Sequence, residues 1–135
     1  MKKRLAIAII LIFAAVILVG CAAESTVENI ASSERITQEE AMEWIAHQNV
    51  IILDVRNLDE FNMGHIPDAV SLPVDEIQNA APRMIPDKEQ IILVYCQTGR
   101  RSANASAMLA EMGYTMVFDF GGIVDWAGEV VTPSH

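Results

Sequence analysis

Runs of apolar residues alternate with amphipathic segments along most of the chain, and this alternation predicts strands and helices in turn. Four largely apolar runs have the length and composition of strands, and the run at residues 50–53 is typical of a strand buried on both faces of a parallel sheet. They occupy residues 50–53, 69–72, 91–95 and 115–118. Helices are predicted at residues 37–47, before the first strand, and at residues 57–63, 74–81 and 101–112 between the strands, followed by a short final helix that contains Trp126.

Residues typical of helix ends set the limits of these helices. Thr37 and Glu40 have the spacing of a capping box, and Gly64 and Gly113 follow helices as C-terminal caps. Pro82 is expected to stop the third helix before residue 82. Because strands and helices alternate, the predicted fold class is α/β, with a parallel sheet covered by helices on both faces. In such sheets, sites form at the carboxyl ends of the strands.

A different pattern occupies the first twenty residues. Three basic residues precede fifteen consecutive apolar residues, 5–19, and Gly20 and Cys21 follow. This is the layout of a bacterial secretory signal, and fifteen residues are fewer than the roughly 20 that a membrane span needs. Residues 18–21 resemble a lipobox, in which the cysteine is lipidated and becomes the first mature residue. We therefore expect a lipoprotein signal peptide at residues 1–20, a lipid on Cys21, and a membrane-anchored location in the periplasm or on the outer cell surface. An uncleaved N-terminal anchor is the alternative.

The rest of the chain divides into a polar tether, residues 21–33, and a single domain, residues 34–135. Residues 21–135 keep six of the nine Lys and Arg and all eighteen Asp and Glu, which gives a formal charge of −12. Binding to nucleic acid or to anionic lipid needs a basic surface, so nucleic acid is not an expected partner.

Cys96 carries the clearest chemical signal. It directly follows the most strongly predicted strand, and a lipidated Cys21 would leave it as the only thiol of a domain in an oxidising compartment. A glycine-containing loop and the start of a helix come next: Gln97, Thr98, Gly99, Arg100 and Arg101. Backbone N–H groups of a tight loop, the positive end of a helix and two guanidinium groups would each lower the pKa of the thiol. The pattern therefore predicts a reactive thiolate at Cys96.

Four segments, in order, resemble motifs of the rhodanese family. They are Asp54-Val55-Arg56, residues 60–69, Cys96-x-x-Gly99-x-Arg101, and residues 121–126 with Trp126 at their end. Two positions depart from the family pattern. Asp68 stands at a turn where the family has glycine, a position that aspartate often tolerates. Gln97 stands where many members have arginine, which weakens the case for thiosulfate as the donor but not the case for persulfide chemistry.

The resemblance implies a three-layer fold with a central parallel sheet of about five strands, and the activity of a sulfurtransferase. The thiolate of Cys96 would attack the outer sulfur of a small anionic donor, either thiosulfate or a polysulfide or persulfide, and would hold it as a persulfide. N–H groups of residues 97–101 would bind its charge, and a thiol, a protein or cyanide would accept the sulfur in a second step. Asp54, Arg56 and His65 would support the site structurally. Neither a metal nor an organic cofactor is implied.

Two alternatives stay open at this point. Cell-cycle-type dual-specificity phosphatases share this fold, but their loop places five residues between cysteine and arginine, whereas four separate Cys96 from Arg101. The shorter loop suits a single sulfur atom better than a phosphoryl group. The other alternative is a tethered sulfur carrier, thiol sensor or interaction module without significant turnover, which would share the first half-reaction.

Overall fold

The computed structural model describes residues 32–133. Its strands are β1 (Ser33–Arg35), β2 (Val50–Asp54), β3 (Val70–Ser71), β4 (Ile91–Cys96) and β5 (Val117–Gly122). Its helices are α1 (Gln38–His47), α2 (Leu58–Met63), α3 (Ile77–Met84) and α4 (Arg100–Glu111), and 3-10 turns cover Val74–Glu76 and Ile123–Asp125. The strands form one parallel sheet in the order β1-β5-β4-β2-β3. The predicted α/β class and the sheet of about five parallel strands are confirmed.

Apolar side chains cover both faces of this sheet. The central strand β4 alternates between them: Ile92, Val94 and Cys96 pack with α3 and α4, whereas Leu93 and Tyr95 pack on the side of α1. Since successive residues of a strand point to opposite faces, a continuous apolar run is required here, as the sequence indicates.

Pairing of parallel strands brings three strand ends to one edge of the sheet. Asp54 of β2 pairs with Tyr95 of β4, and Cys96 of β4 pairs with Gly122 of β5. The residues that follow these strands therefore meet around Cys96, as expected for an open parallel sheet.

The predicted helix ends agree with the structure at α1 and α2. Thr37 Oγ1 accepts from the N–H of Glu40 at 3.1 Å, and Glu40 Oε2 accepts from the N–H of Thr37 at 2.8 Å, which completes the predicted capping box. Asn57 and Glu60 form a second capping box at the start of α2, and Gly64 follows its end.

Some elements of the structure differ from the prediction. Strand β1 was not predicted, because Ser33–Arg35 is exposed and polar and, among residues 32–133, pairs only with β5. Ser33, predicted as the last tether residue, is its first residue. Strand β5 begins later than predicted and runs through Gly121 and Gly122, because an irregular register opposite β4 accommodates this glycine pair within the sheet.

Helix α3 continues past Pro82 instead of stopping before it. Pro82 is exposed, and the helix is still held by the buried Ala81, whose carbonyl accepts from the N–H of Ile85 at 2.8 Å.

The predicted signal peptide, the lipid-bearing Cys21 and most of the tether lie outside the described residues. Within residues 32–133, none of the helices combines the length and the apolar character needed to cross a membrane.

Candidate active site

Cys96 is the last residue of β4, and its side chain is buried, with 1% exposed. The loop of Gln97, Thr98 and Gly99 then turns the chain into α4. Gly99 has a φ of 99°, in the left-handed region where a side chain would be strained. This conformation allows the loop to fold back over the sulfur.

Two groups of the loop and helix contact the sulfur directly. The N–H of Gly99 donates to Sγ of Cys96 at 3.1 Å. Oγ of Ser102, in the first turn of α4, lies 3.7 Å from the same sulfur and accepts from its thiol. The Ser102 hydroxyl is itself buried and donates to the carbonyl of Gly99 at 3.0 Å.

These contacts decide the ionisation of the thiol. Burial by itself would raise the pKa of Cys96, because a thiolate is poorly solvated in the interior. Hydrogen bonding to the backbone N–H and the hydroxyl of Ser102, and then to the N–H groups of Gly99 and Thr98, outweighs the burial and lowers the pKa below its ordinary value. The site therefore increases the fraction of thiolate, which is the nucleophilic form of cysteine.

The two arginines contribute less to this effect than the sequence suggests. Arg101 donates from both terminal nitrogens to the carboxylate of Glu60, each at 2.7 Å. This hydrogen bond is the main reason that the pKa of Arg101 is raised. The charge of Cys96 raises it to a smaller extent, so the guanidinium remains within electrostatic reach of the sulfur. Arg100 is exposed, and with Arg101 and Asn104 it lines a cavity of about 330 Å³. The hydrogen-bond donors of the loop therefore dominate over the guanidinium charges.

Glu60 links α2 to the first turn of α4. The hydrogen bond from Arg101 is the main reason that the pKa of Glu60 falls to about 2. Its Oε2 also accepts from the N–H of Asn57 at 3.1 Å. The ion pair thus holds one side of the active loop against the helix that follows β2.

Asp54 and Arg56 form a buried salt bridge at the end of β2. Nη2 of Arg56 lies 2.6 Å from Oδ2 of Asp54, and both side chains are almost fully buried. Burial would lower the pKa of Arg56, but Asp54 more than offsets this and raises it. Arg56 also donates to the side-chain oxygen of Gln97 at 3.2 Å and to the carbonyl of Gly64 at 2.7 Å. This pair therefore orients the residue that follows the nucleophile.

His65 lies at the turn after α2. Its Nδ1 is 3.0 Å from the carbonyl oxygen of Phe61, and its ring stacks on that of Phe61 with centroids 3.8 Å apart. Its backbone forms two hydrogen bonds with Val131. The contacts of His65 thus tie α2 to the C-terminal segment.

Close packing against β5 fixes the other side of the loop. A Cβ atom at Gly122 would be 2.7 Å from Cα of Thr98 and closer still to the carbonyl oxygen of Gln97. On the same strand, Asp119 accepts from the N–H of Gly121 at 2.9 Å and from Arg35 at 2.8 Å. Only glycine at position 122 leaves room for this loop.

Three of these contributors were not assigned a role from sequence: Ser102, Glu60 and Gly122. A small hydroxyl residue in the first turn after the cysteine is the signal that could have identified Ser102. The partnership of Glu60 and Arg101 joins residues 41 positions apart, which spacing alone does not reveal. Among residues 32–133, no cluster of three or more His, Cys, Asp or Glu is placed to hold a metal ion.

Residues 37–129 match the family described as Rhodanese-like domain. The chain is 37% identical over 75 residues, 56% of its length and 72% of the other's, to thiosulfate sulfurtransferase PspE of Escherichia coli strain K12. It is 31% identical, over 78% of its length, to putative sulfur carrier protein YrkF of Bacillus subtilis strain 168, of which it spans 57%.

Solved structures resemble the chain as well. A structure titled as rhodanese with anions from E. coli matches with a TM-score of 0.58 at 35% identity, over 62% of this chain and 98% of that one. A rhodanese-like domain protein from Staphylococcus aureus matches with a TM-score of 0.64 at 31% identity, over 75% of this chain and 99% of that one.

Proposed function

Because this chain belongs to the rhodanese-like domain family, we propose that it is a sulfurtransferase that carries sulfane sulfur as a persulfide on Cys96. The observation that carries the proposal is that the sulfur of Cys96 contacts both the Gly99 N–H and the Ser102 hydroxyl. The N–H donates to the sulfur, and the hydroxyl can turn its proton toward the sulfur once the thiol ionises. Both groups then favour the thiolate needed for attack and are placed to bind the negative charge of a persulfide afterwards.

The first half-reaction loads the enzyme. The thiolate of Cys96 attacks the outer sulfur of the donor and forms a new S–S bond. With thiosulfate, the original S–S bond breaks and its electron pair leaves on sulfite. With a persulfide, the pair leaves on the organic thiolate. Cys96 then holds the transferred sulfur, whose charge faces the N–H groups of the loop.

The second half-reaction returns the enzyme to its starting state. A nucleophile attacks the outer sulfur of the persulfide, the S–S bond breaks, and its electron pair returns to Cys96 as the thiolate. Cyanide would leave as thiocyanate, and a thiol would leave as a persulfide. Since the enzyme is covalently modified between the two steps, we expect ping-pong kinetics.

The experiment exposes the protein to thiosulfate or polysulfide and measures its intact mass. We expect the gain of one sulfur atom, its absence in Cys96→Ala, and its release to cyanide over many cycles. A gain without repeated release would instead indicate a sulfur carrier, the description given to the B. subtilis relative. No gain with any donor would contradict both and leave an interaction module.

The ion pair of Arg101 and Glu60 argues against phosphatase chemistry. Both terminal nitrogens of Arg101 are engaged by a carboxylate, so they are not free to bind phosphoryl oxygens. Hydrolysis of a small phosphate ester that disappears in Cys96→Ser would overturn this conclusion.

We also propose that the protein is anchored outside the cytoplasm through a lipid on Cys21, on the evidence of residues 1–21 of the sequence. Cells grown with radiolabelled palmitate should yield labelled protein, whereas Cys21→Ser should remain unlabelled and Cys96→Ser should be labelled normally. Equal labelling of the wild type and Cys21→Ser would contradict lipid attachment at this residue.

A further inference from the structure

Three apolar side chains beside the active loop are exposed to solvent. Met63 is 75% exposed, Val124 58% and Val130 48%. Together with Gln97, the residue directly after the nucleophile, they line a cavity of about 330 Å³. We call Met63, Val124 and Val130 the apolar shelf.

Backbone hydrogen bonds hold the shelf in place next to the loop. The N–H of Val124 donates to the carbonyl of Gln97 at 3.3 Å. Val130 is positioned by its neighbour Val131, which exchanges two hydrogen bonds with His65 at 2.8 and 2.9 Å. A Cβ at Gly64 would be 3.0 Å from Cγ1 of Val130, so glycine there lets the C-terminal segment approach. Three segments distant in sequence thus converge on one apolar surface, a feature that commonly marks a binding site.

The charged groups around this cavity are already paired. Arg56 and Glu60 also line it, but Arg56 is bound to Asp54 and Glu60 to Arg101. Gln97 adds a neutral side chain. Within residues 32–133, the cavity therefore has no unpaired charge in its lining, and it suits an uncharged organic group better than an oxyanion.

We propose that the apolar shelf binds the organic group R of a thiol acceptor and of the corresponding persulfide, and so favours thiols with an apolar organic group over small or charged ones. This inference rests on the proposed function. In the loading direction, the Cys96 thiolate bonds to the outer sulfur of R–S–SH, and the bond between its two sulfurs breaks. The electron pair leaves as R–S⁻, which takes the proton of the transferred sulfur to become R–SH. No net oxidation or reduction occurs.

One surface serves both directions of transfer. The group R that leaves during loading is the group that attacks during unloading, so the reacting sulfur occupies the same place in both steps. Contacts between R and the apolar shelf would therefore lower the barrier for loading by R–S–SH and for unloading by R–SH alike.

The test measures unloading of the Cys96 persulfide by three acceptors: cyanide, 2-mercaptoethanol and phenylmethanethiol. Met63→Gln and Val124→Ser remove apolar surface from the shelf without disturbing the core. We expect each to lower the second-order rate constant for phenylmethanethiol by about fivefold, the effect of losing roughly 40 Å² of apolar contact. The rate constant for cyanide, which has no organic group, should stay unchanged, and that for 2-mercaptoethanol should change little.

Met84→Gln is the matched control, because Met84 is a 44% exposed methionine on α3 and does not line the cavity. It should leave all three rate constants at their wild-type values.

Equal rate constants for phenylmethanethiol in the wild type and both shelf variants would overturn the inference about the shelf, while the proposed sulfurtransferase function would stand. Light scattering that shows a dimer for the wild type and a monomer for Met63→Gln would also overturn the inference, because the shelf would then be an interface between two copies of this chain. Failure of Cys96 to gain sulfur at all would instead contradict the proposed function.

Discussion

Oγ of Ser102 lies 3.7 Å from Sγ of Cys96 and 3.0 Å from the carbonyl oxygen of Gly99. A hydroxyl has a single proton to donate. With a neutral thiol, Ser102 accepts from the sulfur and donates to Gly99. When the thiol ionises, the hydroxyl can turn its proton toward the sulfur, where a charge-assisted hydrogen bond is stronger. Ser102 therefore responds to the ionisation state of the nucleophile.

The first prediction concerns this hydroxyl. Ser102→Ala should raise the pKa of Cys96 and slow its alkylation severalfold at neutral pH, because one of the groups that lower the pKa is lost. The measurement is the alkylation rate of the Cys96 peptide against pH, followed by mass spectrometry.

Ser106→Ala is the matched control, four residues along the same helix. Ser106 is buried, and its hydroxyl has no hydrogen-bond partner among the described residues. Its removal should leave the pKa of Cys96 unchanged and the free energy of unfolding equal or higher. An alkylation profile that responds equally to both substitutions would show that Ser102 acts only through packing.

The second prediction concerns the contact of Gly122 with the active loop. Gly122→Ala places a methyl group against the backbone of Gln97 and Thr98, and rigid backbone cannot yield as a flexible side chain would. We expect a loss of about 1–3 kcal/mol in the free energy of unfolding, together with a marked loss of Cys96 reactivity.

Gly113→Ala separates loop displacement from general destabilisation. Gly113 has a φ of 91°, so alanine is strained there, but apart from its chain neighbours no residue has an atom within 4 Å of the added Cβ. This variant should lose about 1 kcal/mol or more of stability and keep the alkylation rate of Cys96. Unchanged Cys96 reactivity in Gly122→Ala would rule out the contact as a support of the loop.

The third prediction is a pH dependence of stability from Glu60. Its pKa is about 2 in the folded protein against an ordinary 4.5, so the folded state binds fewer protons than the unfolded state. The stabilisation is therefore fully present above pH 4.5 and is lost as the pH falls through about 2. Glu60→Gln should lower the free energy of unfolding by about 1–2 kcal/mol at neutral pH, and its difference from the wild type should shrink between pH 4.5 and 2.

Urea unfolding of both proteins across this pH range provides the measurement. Asp59→Asn is the control, since it removes a neighbouring exposed carboxylate and should give a small difference from the wild type. A difference between wild type and Glu60→Gln that stays constant down to pH 2 would refute the assignment of the ion pair.

Much of this fold follows from local pattern. The apolar runs predict β2 and β4 closely, because each is buried on both faces and cannot contain polar residues until it reaches its end. The turn at Asp68 also agrees with expectation: it has a φ of 62°, the left-handed conformation that glycine or aspartate tolerates.

Features that depend on distant partners did not follow from the pattern. Ser33–Arg35 becomes a strand only because β5 offers it an edge to pair with. The sequence suggests Arg101 as a free charge beside the sulfur, but Glu60 reaches it from another helix. The position of the cysteine and the loop N–H groups that lower its pKa could be predicted from the strand, loop and helix around it. The engagement of Arg101 by Glu60 could be identified only from three-dimensional contacts.

The most direct test of the central claim is the pH dependence of Cys96 alkylation in the wild-type protein, with Cys96 resolved from Cys21 by peptide mass spectrometry. The loop geometry predicts a half-maximal rate at a pH clearly below that of free cysteine, because the hydrogen bonds from Ser102, Gly99 and Thr98 outweigh burial. A midpoint at or above that of free cysteine would mean that the thiol is a neutral core residue, and the proposed persulfide chemistry would be contradicted.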